Sequence, residues 1–190
     1  MSVPDESAPA VNCTMPLQLL AACHLHLRAH CTALRRLVTR LRQHGADAQA
    51  REAAGAVIRT FDISAPLHHA DEESDLFPAL LESMAGSDAV CLRDLTTALS
   101  AEHRELQRRW HSLRRALEQV GSGDASALSA DEVAGFADLY ERHIAREEAE
   151  LLPMAQRLLG DDQLARIGQA MGARRRPAQA APQTGTTPVR

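Results

Sequence analysis

Residues 67–78 read LHHADEESDLFP and join two histidines and four acidic residues to a closing Leu-Phe-Pro. Residues 143–153, HIAREEAELLP, repeat this pattern without a gap. In both copies a His is followed four residues later by Glu-Glu, and then by Leu, an apolar residue and Pro. Residues four apart lie on one face of an α-helix, so each His and the first Glu project to the same side. The repeat indicates two equivalent helices.

A second, weaker repeat lies ahead of each of these stretches. Residues 23–34, CHLHLRAHCTAL, and 102–113, EHRELQRRWHSL, each carry a His followed by apolar residues three, seven and ten positions later. The order is therefore the same in both halves: a helix with His24 or His103, and then a helix with His-x-x-x-Glu. A duplicated helical hairpin would produce this order. We predict an all-α, up-down-up-down four-helix bundle with a short fifth C-terminal helix.

Composition supports a helical fold of one domain. The chain has 190 residues, of which 45% are hydrophobic and only 3% aromatic, and its Ala and Leu content favours helix over strand. We predict a flexible leader over residues 1–15, the bundle over 16–172 and a flexible C-terminal tail over 173–190. Pro66, inside the second helix, is predicted to kink it.

Several classes of function are disfavoured. All 21 basic residues are Arg, which excludes a Walker-type phosphate loop and a Schiff-base lysine. A net charge of -4 and the lack of a basic face argue against a nucleic-acid partner, and no apolar run is long enough to span a membrane. Four cysteines without CxxC spacing and the lack of a secretory signal favour a cytoplasmic protein with reduced thiols.

The repeated histidines and glutamates predict a metal site. An antiparallel bundle would bring four imidazoles and two carboxylates into its interior, where unpaired carboxylates would cost several kcal/mol each. Two cations would remove this cost. Mixed nitrogen and oxygen ligands suit iron or manganese better than zinc.

These motifs resemble the hemerythrin-like, HHE cation-binding domain family, over roughly residues 16–171. The resemblance implies a four-helix bundle that holds two iron ions in an oxo- or hydroxo-bridged di-iron centre able to meet dioxygen. The two glutamates would bridge the irons, and the implied iron ligands are His24, His68, Glu72, His103, His143 and Glu147.

The sequence departs from the oxygen-carrying members of this family and leaves the choice of some ligands open. Gln107 stands where they have a second His one turn after His103, and Glu148 stands where they have an Asp five residues after the last His. Glu148 thus competes with Glu147 for the bridging role, although the repeat favours Glu147. The sequence also allows a chelating pair of His26 and His30, and ligation by His69 together with Glu73.

Three functions follow as hypotheses. The first is a non-haem di-iron protein that binds dioxygen or senses oxygen, peroxide or nitric oxide; as a sensor it would need a separate protein partner. The second is a di-iron enzyme that reduces peroxide or nitric oxide, or donates iron for cluster repair. The third is a metal-free interaction bundle. The sequence leaves the choice between enzyme and binding protein open but favours binding or sensing.

Overall fold

The computed structural model describes residues 15–83 and 88–176, and within these ranges every regular element is a helix. The predicted all-α class is therefore confirmed. The predicted leader up to residue 14 and the predicted tail from residue 177 lie outside the described residues. The five helices are α1 (Pro16–His44), α2 (48–82), α3 (Asp88–Gly121), α4 (130–158) and α5 (Asp161–Arg175).

The first four helices form the predicted bundle. Helix α1 packs against α2 and α4, and α3 packs against the same two helices from the other side. A short connection reverses the chain between α1 and α2. It begins at Gly45, whose φ of +68° lies in a region that residues with a Cβ rarely adopt. It ends at Asp47, whose side chain caps α2 by accepting a hydrogen bond from the Ala50 N–H at 2.8 Å.

The apolar core is divided into two clusters with a polar layer between them. One cluster contains Leu27, Leu106 and Tyr140, and the other contains Leu20, Leu99 and Leu151. Along each of the four bundle helices, the predicted site residues are preceded by a residue of one cluster and followed by a residue of the other. The site residue is a His in α1 and α3, and a His and a Glu in α2 and α4. The polar layer is therefore enclosed above and below by close-packed hydrocarbon.

Three π-helical turns interrupt α2 and α4: Thr60–Ser64, Glu72–Leu76 and Glu147–Leu151. Each begins six residues before a proline (66 − 60, 78 − 72 and 153 − 147). The N–H of the residue before that proline bonds the carbonyl five residues back, rather than four as in an α-helix. The wider turn gives the proline ring room within a continuous helix.

The π turns also explain a strict spacing of four among buried residues. His143, Glu147, Leu151 and Ala155 are all at most 1% exposed, yet on an ideal α-helix each step of four drifts by about 40°. A π turn, with more residues per turn, takes up this drift. All four side chains consequently face the bundle interior.

The structure adds detail at Pro66 and at the C-terminus. Helix α2 runs on through Pro66, which follows a π turn and lies in the first turn of the segment Ala65–Asp71. Helix α5 continues to Arg175, beyond the residue where the tail was predicted to begin. It does so because Arg174 and Arg175 both pair with the fully buried carboxylate of Asp71.

None of the helices within residues 15–83 and 88–176 combines the length and the apolar character needed to cross a membrane.

Candidate metal centre

The polar layer brings all six predicted site residues together. Each of the four bundle helices contributes at least one of them, and each of the two glutamates begins a π turn, one in α2 and one in α4. Every one of the six is at most 4% exposed. They are His24 from α1, His68 and Glu72 from α2, His103 from α3, and His143 and Glu147 from α4.

The two oxygens of Glu147 face different pairs of imidazoles. Its Oε2 lies 3.1 Å from Nε2 of His24 and 3.8 Å from Nε2 of His68. Its Oε1 lies 2.8 Å from Nε2 of His143 and 3.7 Å from Nε2 of His103. Glu147 therefore stands between a pair of histidines from the first hairpin and a pair from the second.

Glu72 is arranged in the same way. Its Oε1 lies 3.8 Å from Nε2 of His68, and its Oε2 lies 3.3 Å from Nε2 of His103. The six residues thus form two groups of four that share both glutamates, one with His24 and His68 and the other with His103 and His143. Within each group the candidate ligand atoms lie within 4.8 Å of one another.

Hydrogen bonding does not account for this cluster. Nine buried side-chain atoms among the described residues have no hydrogen-bond partner, and all nine belong to these six residues. They include both carboxylate oxygens of Glu72 and Glu147 and Nε2 of each histidine. An unsatisfied buried polar group costs about 1–3 kcal/mol, so these atoms favour a positive charge among them, either a bound cation or protons on the imidazole nitrogens.

The donor set and its spacing fit metal cations. Two atoms that each lie about 2.1 Å from one ion at right angles are about 3 Å apart. The six nitrogen-to-oxygen separations run from 2.8 to 3.8 Å, which is the range expected for neighbouring ligands. Imidazole and carboxylate together suit a first-row transition metal such as iron or manganese.

Outer carboxylates orient the imidazoles. His24 donates from Nδ1 to Glu148 at 3.1 Å, and His103 donates from Nδ1 to Glu73 at 2.6 Å. Each hydrogen bond turns Nε2 toward the shared glutamates, a common arrangement around ligating histidines. Glu148, which is 37% exposed and also binds Arg28, thus stands outside the cluster, and Glu147 occupies the position between the histidine pairs.

Sequence reasoning missed a third orienting residue, Glu102. Its Oε2 accepts from His143 Nδ1 at 2.8 Å, and its Oε1 accepts from Arg146 at 3.3 Å. The available signal was its position directly before His103. Adjacent helical residues point about 100° apart, so a residue next to an inward-facing His is directed toward a neighbouring helix, in this case α4.

His69, which the sequence allowed as a ligand, lies beside the cluster. One of its ring nitrogens is within 4.8 Å of nitrogens of His103 and His143, and its ring stacks on that of His103 with centroids 3.9 Å apart. Tyr140 Oη lies 3.3 Å from Nε2 of His69. Burial, reinforced by three nearby histidines, holds the pKa of His69 well below its usual value, so this imidazole is neutral and able to donate a lone pair.

His26 and His30 lie outside the cluster. His30 uses Nδ1 to bond the carbonyl of His26 at 3.0 Å. His26 directs Nε2 toward the hydroxyl of Thr60 at 3.3 Å. The two rings pack against each other with centroids 4.5 Å apart, but neither residue belongs to a candidate ligand group among the described residues.

A cleft of about 610 Å³ reaches this layer from the side of α2 and α3. His69 and His103 contribute to its lining, as do the aromatic rings of Phe61, Trp110 and Phe136. Gln107, the residue one turn after His103, also lines the cleft and is exposed. The cleft gives small molecules a route to the imidazoles of His69 and His103.

The charges of the cluster shift the pKa values of its members. Burial alone would lower the pKa of His103, but Glu147, Glu72 and Glu73 outweigh it and raise that pKa to about 10. Burial would likewise raise the pKa of Glu147, but the surrounding imidazoles hold it well below its usual value. Without metal, protons on imidazole nitrogens therefore balance the buried carboxylates, and a cation would have to displace them.

Comparison with known proteins agrees with this geometry. A family model described as the hemerythrin HHE cation binding domain matches residues 15–155. An uncharacterized protein of Haemophilus influenzae is 32% identical over 160 residues, which is 84% of this chain and 90% of the relative. The family match spans the four bundle helices up to Ala155 and ends before α5.

Proposed function

The chain belongs to the hemerythrin HHE cation-binding domain family, and on that premise we propose that it is a non-haem di-iron protein that binds dioxygen or senses oxygen, peroxide or nitric oxide. The two groups of ligands that share Glu72 and Glu147 carry this proposal. A pair of cations, each with two imidazoles and one oxygen from each glutamate, would use all of these side chains. His24 and His68 would hold one ion, and His103 and His143 the other.

Iron, when bound, would supply the redox chemistry. The protein's part is to fix the ligands and to control access. Glu73, Glu102 and Glu148 hold three imidazoles by their Nδ1 atoms, and the apolar clusters on both sides of the layer exclude bulk water. The cleft beside His69 and His103 supports entry of a small oxidant.

His69 is proposed as an additional ligand of the second ion or as a polar group beside it. Its neutral imidazole and its proximity to His103 and His143 support either role. A His69→Ala variant tests the first role, because unchanged affinity for the second ion would exclude ligation by His69.

Elemental analysis tests the di-iron proposal. Protein expressed aerobically should contain two irons per chain and absorb in the near ultraviolet through charge transfer to ferric iron. Glu147→Gln should lose iron. The matched control Glu150→Gln, an exposed carboxylate on the same π turn, should keep it. Purified protein without iron, or with zinc in its place, would overturn the proposal.

The alternative is an enzyme built on the same centre, which the open cleft also supports. Anaerobically reduced protein mixed with measured amounts of dioxygen, peroxide or nitric oxide distinguishes the two functions. A reversible change in the spectrum without consumption of the added molecule fits a binding or sensing protein. Steady consumption with an electron donor present fits an enzyme.

A further inference from the structure

The two halves of the bundle can be compared contact by contact. In the sequence repeat, positions in α1 and α3 differ by 79 and positions in α2 and α4 differ by 75. The hydrogen bond from His24 to Glu148 therefore corresponds to the one from His103 to Glu73, since 103 − 24 = 79 and 148 − 73 = 75. Both hydrogen bonds are present, so the outer carboxylates follow the pseudo-symmetry at these two imidazoles.

The pseudo-symmetry fails at the other pair of imidazoles. His143 is held by Glu102 at 2.8 Å. Its counterpart His68 is fully buried, and its Nδ1 has no hydrogen-bond partner among the described residues. The residue that corresponds to Glu102 is Cys23 (102 − 79), which has no carboxylate to offer.

The neighbours of Cys23 correspond in part to those of Glu102. Glu102 contacts Arg146, and the counterpart of Arg146 is Asp71 (146 − 75). The Cys23 thiol interacts electrostatically with Asp71 and with the Arg175 guanidinium that pairs with it. The first hairpin thus has a thiol beside an acid where the second has a carboxylate beside a base.

This difference affects how tightly each cation is held. An imidazole that donates Nδ1–H to a carboxylate is fixed in orientation and is a stronger ligand, and loss of such a partner typically costs 10- to 100-fold in metal affinity. We propose that the two cation positions are inequivalent: the position of His103 and His143 fills first, and the position of His24 and His68 binds a weaker, exchangeable ion. This inference rests on the proposed two-cation centre.

Cobalt titration of two single-position variants tests the order of filling. His68→Ala leaves the position of His103 and His143 intact, and His143→Ala leaves the position of His24 and His68 intact. The tight step in each variant involves one ion, so repulsion between two ions does not contribute to the difference in affinity between the variants. Metal-free protein is titrated with Co²⁺, and binding is followed by calorimetry and visible absorption. The affinity of the tight step should be at least about tenfold higher in His68→Ala than in His143→Ala. Equal affinities, or the reverse order, would overturn the inference.

Substitutions at Glu102 and Cys23 test whether the hydrogen bond to the imidazole Nδ1 causes the difference in affinity. His69 is unchanged in these variants, so it does not contribute to the result. Glu102→Gln should weaken the first Co²⁺ step of the otherwise intact chain by about 10- to 100-fold. Cys23→Glu should strengthen the second step, and Cys91→Glu, at an exposed thiol of α3, should not. If Cys23→Glu fails to fold, an unchanged first step in Glu102→Gln still overturns the inference. Absence of any Co²⁺ binding to the intact chain would overturn the two-cation centre itself, whereas two equal steps would overturn the inequivalence alone.

Discussion

Without its cations, the protein should lose stability as the pH rises from 6.5 toward 10. Burial opposes the charged form of His103, but Glu147, Glu72 and Glu73 outweigh it and raise the pKa from 6.5 to about 10. A raised pKa means that the folded state holds this proton more tightly than the unfolded state. Its contribution to stability is therefore fully present below about pH 6.5 and is lost as the pH approaches 10.

The size of the effect follows from the two pKa values. A rise from 6.5 to about 10 corresponds to at most ~5 kcal/mol, at about 1.4 kcal/mol for each pH unit. In a domain of this size 1 kcal/mol changes Tm by about 2–4 °C. We therefore expect Tm of the metal-free protein to fall by up to ~10–20 °C across this interval.

Thermal unfolding followed by circular dichroism measures this fall in protein treated with a chelator. Metal-loaded protein should show little of it, because cations then replace the imidazole protons beside the carboxylates. Glu147→Gln should reduce the fall by removing one of these carboxylates. His44→Gln, at an exposed residue of α1, should leave it intact. A Tm of the metal-free protein that is constant or rises between pH 6.5 and 10 would refute the reasoning.

Three further predictions concern groups around the centre. Asp71→Asn should destabilise the fold by about 3–5 kcal/mol, because it leaves Arg174 and Arg175 without their buried carboxylate; urea unfolding measures this, and a loss below ~1 kcal/mol would contradict it. Glu148→Ala should weaken one Co²⁺ step by about 10- to 100-fold by freeing His24, and unchanged titration would show that this hydrogen bond is unimportant. Phe136→Ala should cost about 3–5 kcal/mol through a cavity in the core, and near-wild-type urea stability would show that the core closes around the gap.

The sequence alone could predict the bundle and the members of the cluster because both depend on short-range spacing. His and Glu four residues apart must share a helix face, and their repetition fixes which helices are equivalent. The sequence also favoured Glu147 over Glu148 by this logic, and the structure places Glu147 within the cluster and Glu148 at its edge.

Other features depend on contacts between distant residues. Asp71 meets Arg174 and Arg175 across more than 100 residues of sequence, so nothing local predicted where α5 would end. Glu102 and His69 face the site from positions next to inward-facing histidines, where direction depends on how the neighbouring helices pack. The π turns did leave a local signal, since strict spacing of four ahead of a proline is inconsistent with a regular α-helix facing one core.

The π turns also affect how this chain can change in length during evolution. Each is one residue longer than the α-helical turn it replaces. Loss of a single codon between Glu72 and Leu76, together with replacement of Pro78, would therefore restore a regular helix and leave Leu80 directed toward the core, since seven helical residues complete almost two turns. Alignments of relatives should place their one-residue gaps at these turns, while gaps elsewhere in the helices should be rare.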